Sequence, residues 1–197
     1  MIINIPIVLT FIRIAISPLI LLLFYIPNKY ICSAFINNLA ALLFILAAFT
    51  DWLDGWLARY LNQSTSFGAF LDPVADKIIV CTSLIVLLDL GRVSMLVALI
   101  IIGREIFISS LREWMARIGS EYIVSVHALG KLKTMFQMAA IPCLFYGDSF
   151  LYISFLKIGS LLIAVSSIFA VLSMLFYIKC SLPMLHREFS PNRDIAN

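Results

Sequence analysis

The segment Asp51-Trp52-Leu53-Asp54-Gly55-Trp56-Leu57-Ala58-Arg59 is followed, after eight residues, by Gly68-Ala69-Phe70-Leu71-Asp72-Pro73-Val74-Ala75-Asp76. Its four aspartates sit in an otherwise apolar stretch. A carboxylate in or near a bilayer core costs several kcal/mol unless a cation or hydrogen-bonding partner offsets it, so acids converging there signal a site. Positions three or four apart share a helix face. Asp51, Asp54, Gly55, Ala58 and Arg59 therefore form one stripe, and Gly68, Asp72 and Asp76 a second. The polar run Asn62-Gln63-Ser64-Thr65-Ser66 lets the chain reverse between them, so the spacing predicts two facing stripes with three or four carboxylates around one point. Oxygen ligands without His or Cys suit Mg²⁺ or Mn²⁺, which keep waters and bind substrate phosphates. Gly55, Ala58 and Gly68 leave room for a ligand to approach the backbone, although small residues also favour close helix packing. Arg59 has the reach to pair with a phosphate or an aspartate, or to anchor a helix end.

The elements that must hold these residues are membrane helices. The 197 residues are 62% hydrophobic and 13% charged, with mean hydropathy +1.05; a soluble domain carries about 25% charged residues. Against the roughly 20 residues a spanning helix needs, apolar runs fall at about 7–26, 31–50, 77–90, 93–111, 135–147 and 151–179. The expected fold is all-α: one domain over 1–197, polytopic, with six transmembrane helices. The third and fifth runs are short because charged residues occupy their ends, which is where a site belongs. Arg13, Arg59, Lys77, Arg104, Arg112, Arg117, Lys131, Lys133, Lys179, Arg187 and Arg193 fall on one side of such a bundle, and Lys29 and Arg92 on the other, with Lys157. The basic bias places both termini and the aspartates in the cytoplasm. Turns are expected at 26–29, 62–66, 89–92 and 146–149, a longer polar stretch from Arg112 to Lys133, and a frayed polar tail from His186. With no basic region before the first run, and Arg13 interrupting it, that helix is expected to stay rather than be cleaved. Cys32, Cys81, Cys143 and Cys180 are scattered and read as small packing residues. Trp52, Trp56 and Trp114 mark an interface belt, and His127 and His186 are solvated polar residues.

The pattern D-x-x-D-G-x-x-A-R, eight residues, G-x-x-x-D-x-x-x-D resembles the signature of the CDP-alcohol phosphotransferase family. Asp51, Asp54, Gly55, Ala58, Arg59, Gly68, Asp72 and Asp76 match every fixed position. The resemblance implies a six-helix membrane fold, a homodimer, and transfer of a phosphatidyl-type group from a CDP-linked donor to an alcohol with release of CMP. It implies that Asp51, Asp54 and Asp72 hold the metal, and that Asp76 is the general base and also contacts a second ion. Gly55, Ala58, Arg59, Gly68 and Thr10 are then expected beside the CDP-lipid. A metal neutralises the diphosphate and the leaving group, and a carboxylate near the attacking oxygen takes its proton.

Further along are Gly103-Arg104-Glu105-Ile106, Leu111-Arg112-Glu113-Trp114-Met115 and Gly130-Lys131-Leu132-Lys133-Thr134-Met135-Phe136-Gln137. Arg104, Arg112, Lys131 and Lys133 would repel choline or ethanolamine. They suit an anionic acceptor, with Thr134 a hydroxyl partner and Glu105 and Glu113 orienting the cations. These segments, with Asn4-Ile5-Pro6, Leu9-Thr10 and Arg13, resemble elements of the bacterial branch that makes phosphatidylglycerophosphate from CDP-diacylglycerol and glycerol 3-phosphate. The likeness covers Asn4 to Gln137 and departs at Ile7 and His127. Membrane anchoring alone accounts for Arg117, Arg187 and Arg193. Competing readings are the same family with inositol, inositol phosphate, serine or phosphatidylglycerol as acceptor, an intramembrane prenyltransferase, and a cation transporter. A transporter's charges should thread the bilayer, whereas these gather near one surface. The lipid bilayer is the expected surrounding, and no nucleic-acid partner is expected.

Overall fold

The computed structural model describes residues 5–27, 29–61, 66–117, 127–147, 149–150 and 153–188. Among the described residues there are six helices: α1 (Ile5–Phe24), α2 (Ser33–Leu61), α3 (Ser66–Asp89), α4 (Met95–Arg117), α5 (His127–Tyr146) and α6 (Phe155–Glu188). Between α5 and α6 two short strands, β1 (Ser149–Phe150) and β2 (Ile153–Ser154), pair antiparallel. The fold is all-helical apart from that hairpin, which starts the last helix at Phe155 rather than near 151.

Helices α3 and α5 begin well before the apolar runs they contain, at Ser66 and His127, because side chains at a helix end contact solvent or one another without breaking the backbone ladder. Pro73 and Pro142 lie inside them. Among the described residues three helices are long and apolar enough to cross a membrane, at Ile7–Phe24, Ser33–Asp51 and Phe155–Lys179. The other three carry Asp72, Asp76, Lys77 and Asp89, or Arg104, Glu105, Arg112, Glu113 and Arg117, or Lys131 and Lys133 along their lengths. The expected polar linker from Arg112 to Lys133 is helical at both ends, and its middle, 118–126, lies outside the described residues, as do Asn28, 62–65 and the tail beyond Glu188.

Polar and charged side chains are buried within the bundle beside its apolar core, and large apolar ones face outward. Thr10, Arg13, Ser17, Arg104, Lys133, Gln137, Ser166 and Ser173 are buried, whereas Phe11, Leu22, Phe49, Leu96, Met135 and Leu175 are exposed. Water would penalise such a surface, and lipid tails would not. This is a membrane protein. Its core is continuous through α1, α2, α3 and α5, from Ile20 and Phe44 to Leu84, Leu87, Leu144 and Phe145. The most extensive pairing is α5 with α6, followed by α1 with α3 and α1 with α2; α4 joins chiefly through α6. Gly159 permits the α5–α6 approach, since a Cβ there would lie 2.7 Å from Leu144 Cγ.

Two helix ends meet at one edge of this core. Helix α3 closes through Gly91 at φ 66°, with Arg92 N–H donating to Leu87 and Gly91 N–H to Leu88. This is the paired-bond cap that a left-handed glycine allows. Arg92 then donates to the carbonyls of Leu144 and Phe145 at 2.8 and 2.6 Å, placing its cation at the C-terminus of α5. There it meets orphan carbonyls and the negative end of the helix dipole.

Candidate active site

At the opposite end of the bundle, α1, α2 and α3 converge. Thr10 and Arg13 are one turn apart on α1, as Asp72 and Asp76 are on α3, and the parallel run of the two helices pairs them in register. Thr10 Oγ1 donates to Asp72 Oδ1 at 2.6 Å. One guanidinium nitrogen of Arg13 donates to Asp76 Oδ1 at 2.5 Å and to Asp51 Oδ1 at 2.7 Å. Arg13 is 1% exposed and the two carboxylates 40% and 39%, so the cation lies beneath an acid pair that opens outward. An arginine buried this way would be untenable alone and is held by its acids.

Asp76 lies one residue outside the apolar stretch 77–90. Asp54 sits one turn beyond Asp51 on α2, followed by Gly55, Ala58 and Arg59; their side chains lie outside the described residues. Gly68 is buried near the start of α3. Among the described residues no three of His, Cys, Asp and Glu form a metal-sized group. The donor chemistry present is nonetheless that of a hard cation: carboxylate oxygens of two helices within 2.7 Å of one positive nitrogen.

The basic residues of α4 and α5 form a second layer. Lys133, 1% exposed, pairs with Glu105 of α4. Arg104, 6% exposed, donates from Nε to Ser173 Oγ of α6 at 3.3 Å and reaches Glu105 at 3.4 Å. A Cβ on Gly130 would lie 3.7 Å from Arg104, so the arginine packs beside that turn of α5. Lys131 and Thr134 are exposed, Thr134 donating to the Gly130 carbonyl at 2.9 Å. Arg112 stands apart, donating to Tyr177 Oη at 2.7 Å with its cation 5.2 Å from that ring. Arg104 and Arg112 are thus tied to α6, and Lys133 to α4.

A cavity of about 200 Å³ joins the two layers, walled by Asp51, Asp76, Lys77, Glu105, Lys133 and Gln137, with Thr134 at its side. The acid pair and the basic layer face one space. Sequence reasoning gave Arg13 only a place on the charged side and in a resemblance, and passed over Lys77 and Gln137 as site residues. An ionisable residue in the middle of α1's apolar run was the available signal for Arg13; Gln137, one helical turn after Lys133, gave none that spacing reveals.

A helical membrane protein whose acids and cations meet in a polar cavity at one end of the bundle has the build of an enzyme acting on a lipid-linked anion. The chain matches the CDP-alcohol phosphatidyltransferase family over residues 3–178, and it belongs to that family. It is 50% identical over 176 residues to a protein of Wigglesworthia glossinidia brevipalpis, covering 88% of this chain and 92% of the relative. It is 42% identical over 180 residues to proteins of Shigella flexneri serotype 5b (strain 8401) and Escherichia coli (strain K12), covering 90% of this chain and 94% of each relative. All three relatives carry the name CDP-diacylglycerol--glycerol-3-phosphate 3-phosphatidyltransferase.

Proposed function

We propose that this protein transfers the phosphatidyl group of CDP-diacylglycerol to glycerol 3-phosphate, releasing CMP. The names of its relatives support the reaction. The observation that carries the site is a cavity lined together by Asp51, Asp76, Lys77 and Lys133. An anionic alcohol in that space has cations for its phosphate and a carboxylate for its hydroxyl.

In this reading Asp51, Asp54, Asp72 and Asp76 hold Mg²⁺ or Mn²⁺, which when bound neutralises the donor diphosphate and stabilises departing CMP. Thr10 fixes the rotamer of Asp72, and Arg13 holds Asp51 and Asp76 side by side. Asp76, on the wall of the cavity, takes the proton of the attacking hydroxyl. Gly55, Ala58, Arg59, Gly68 and Thr10 border the CDP-lipid. Lys131 and Thr134 meet the acceptor phosphate from the exposed side and Lys133 from within, while Arg104 and Arg112 act by fixing α4 against α6.

The chain forms one domain of six spans in a bacterial inner membrane, a homodimer with both termini and the site facing the cytoplasm. The register supports this: residues near the start of α1, the end of α2, the start of α3, the end of α4 and the start of α5 gather at one end. Tyr177, late in α6, joins them through Arg112. At the other end the core is apolar, through Leu84, Leu87, Leu144 and Phe145, which suits an enzyme and not a cation pathway.

The test is an acceptor panel with purified protein and Mg²⁺ or Mn²⁺. CMP release is expected with glycerol 3-phosphate. Release only with inositol, inositol phosphate, serine or phosphatidylglycerol overturns the acceptor and leaves the family intact.

A further inference from the structure

Gln137 is 2% exposed, lines the cavity between the acid pair and the basic layer, and among the described residues its side-chain carbonyl oxygen has no hydrogen-bond partner. A buried acceptor left unpaired is costly and rare, so such a group beside a cavity points to a donor that arrives with a ligand. The cavity narrows what that donor can be. An ionised Asp51 or Asp76 has no proton to donate, and in this reading the ammonium of Lys133 serves Glu105 and the acceptor phosphate. A phosphate dianion has no proton to give. A hydroxyl does. The volume, about 200 Å³, equals that of about six or seven waters in the liquid, which suits a small polyol phosphate and not a lipid chain.

We propose that Gln137 is a specificity-determining residue: its carbonyl accepts a hydrogen bond from the acceptor hydroxyl that does not react. The inference rests on the reading of glycerol 3-phosphate as acceptor and adds a third point of attachment to it. The reacting hydroxyl lies toward Asp76 on α3, the phosphate toward Lys133 and Thr134 on α5, and the middle hydroxyl toward Gln137, one turn further along α5. Three attachments to three substituents of one carbon distinguish its two hands, so Gln137 also sets stereochemical preference.

The test compares glycerol 3-phosphate with propane-1,3-diol monophosphate, which lacks the middle hydroxyl, in the full-length wild-type protein and in Gln137→Met. Removing the hydroxyl is expected to lower wild-type kcat/KM about 10- to 100-fold, mainly through acceptor KM. Gln137→Met should show a loss of that size with glycerol 3-phosphate and no further loss with the deoxy acceptor, whose turnover also reports that the variant is folded. The wild-type preference between the two enantiomers of glycerol phosphate should fall toward unity. Equal losses on both acceptors, or none on either, overturn the proposal. If Gln137→Met turns over neither acceptor, Gln137→Glu decides, because it keeps an accepting oxygen: a retained preference for the hydroxylated acceptor supports the assignment, and a lost one overturns it. A wild-type protein that releases no CMP with either acceptor overturns the acceptor reading as well, whereas a failure confined to the variants overturns this inference alone.

Discussion

Arg13 decides how the acid pair behaves before any ligand arrives. Both carboxylates lean on one guanidinium nitrogen. In a base role the deprotonated form is the active one, so kcat/KM should rise with pH along a one-proton limb at limiting divalent ion. A proton and a metal compete for the same oxygens, so excess metal should move that rising limb to lower pH. Profiles at two metal concentrations check this; a limb that stays fixed assigns the titration to another group. The spacing of the aspartates made the acids of α2 and α3 legible as one site, because stripes of period three and four are local, but in the structure Asp51 and Asp76 are joined through Arg13 of α1 rather than by two stripes packed face to face. The place of Arg13 between them was not legible, since a contact across 63 residues leaves no local trace and basic residues at membrane edges have a simpler explanation.

At the scale of elements, helices α1, α2 and α6 were readable from long apolar runs, that of α1 broken only by Arg13, and the turns at 89–92 and 146–149 from their glycines. The starts of α3 and α5 were not, because Asp72, Asp76, Lys131 and Lys133 end the hydropathic signal while the backbone continues. The β1–β2 hairpin, with two residues a side, is too short for alternation to register. Close contact of α5 with α6 depends on Gly159. Gly159→Ala brings a methyl group against Leu144 and should cost about 1–3 kcal/mol, as overpacking generally does. Thermal unfolding in detergent measures it. Because the strain falls on the half of α5 carrying Leu144, kcat below the transition should stay near wild type.

For the whole molecule, the site end and the Arg92 end are chemically distinct, and the proposed orientation can be tested from either end. Cys32 is exposed at the start of α2, opposite Asp51. In a protein keeping Cys32 as its only cysteine, a membrane-impermeant maleimide should label intact spheroplasts and not inside-out vesicles; the reverse pattern would turn the bundle over. The Arg13–Asp76 bond also bears on synthesis. Its partners are 63 residues apart, and at about 5–20 residues per second the ribosome delivers the second about 3–13 s after the first. Through that interval α1 carries a cation without its later partner. The first helix therefore has reason to wait at the insertion machinery or the lipid headgroups until α3 emerges, and the three helices settle into the bilayer as a group.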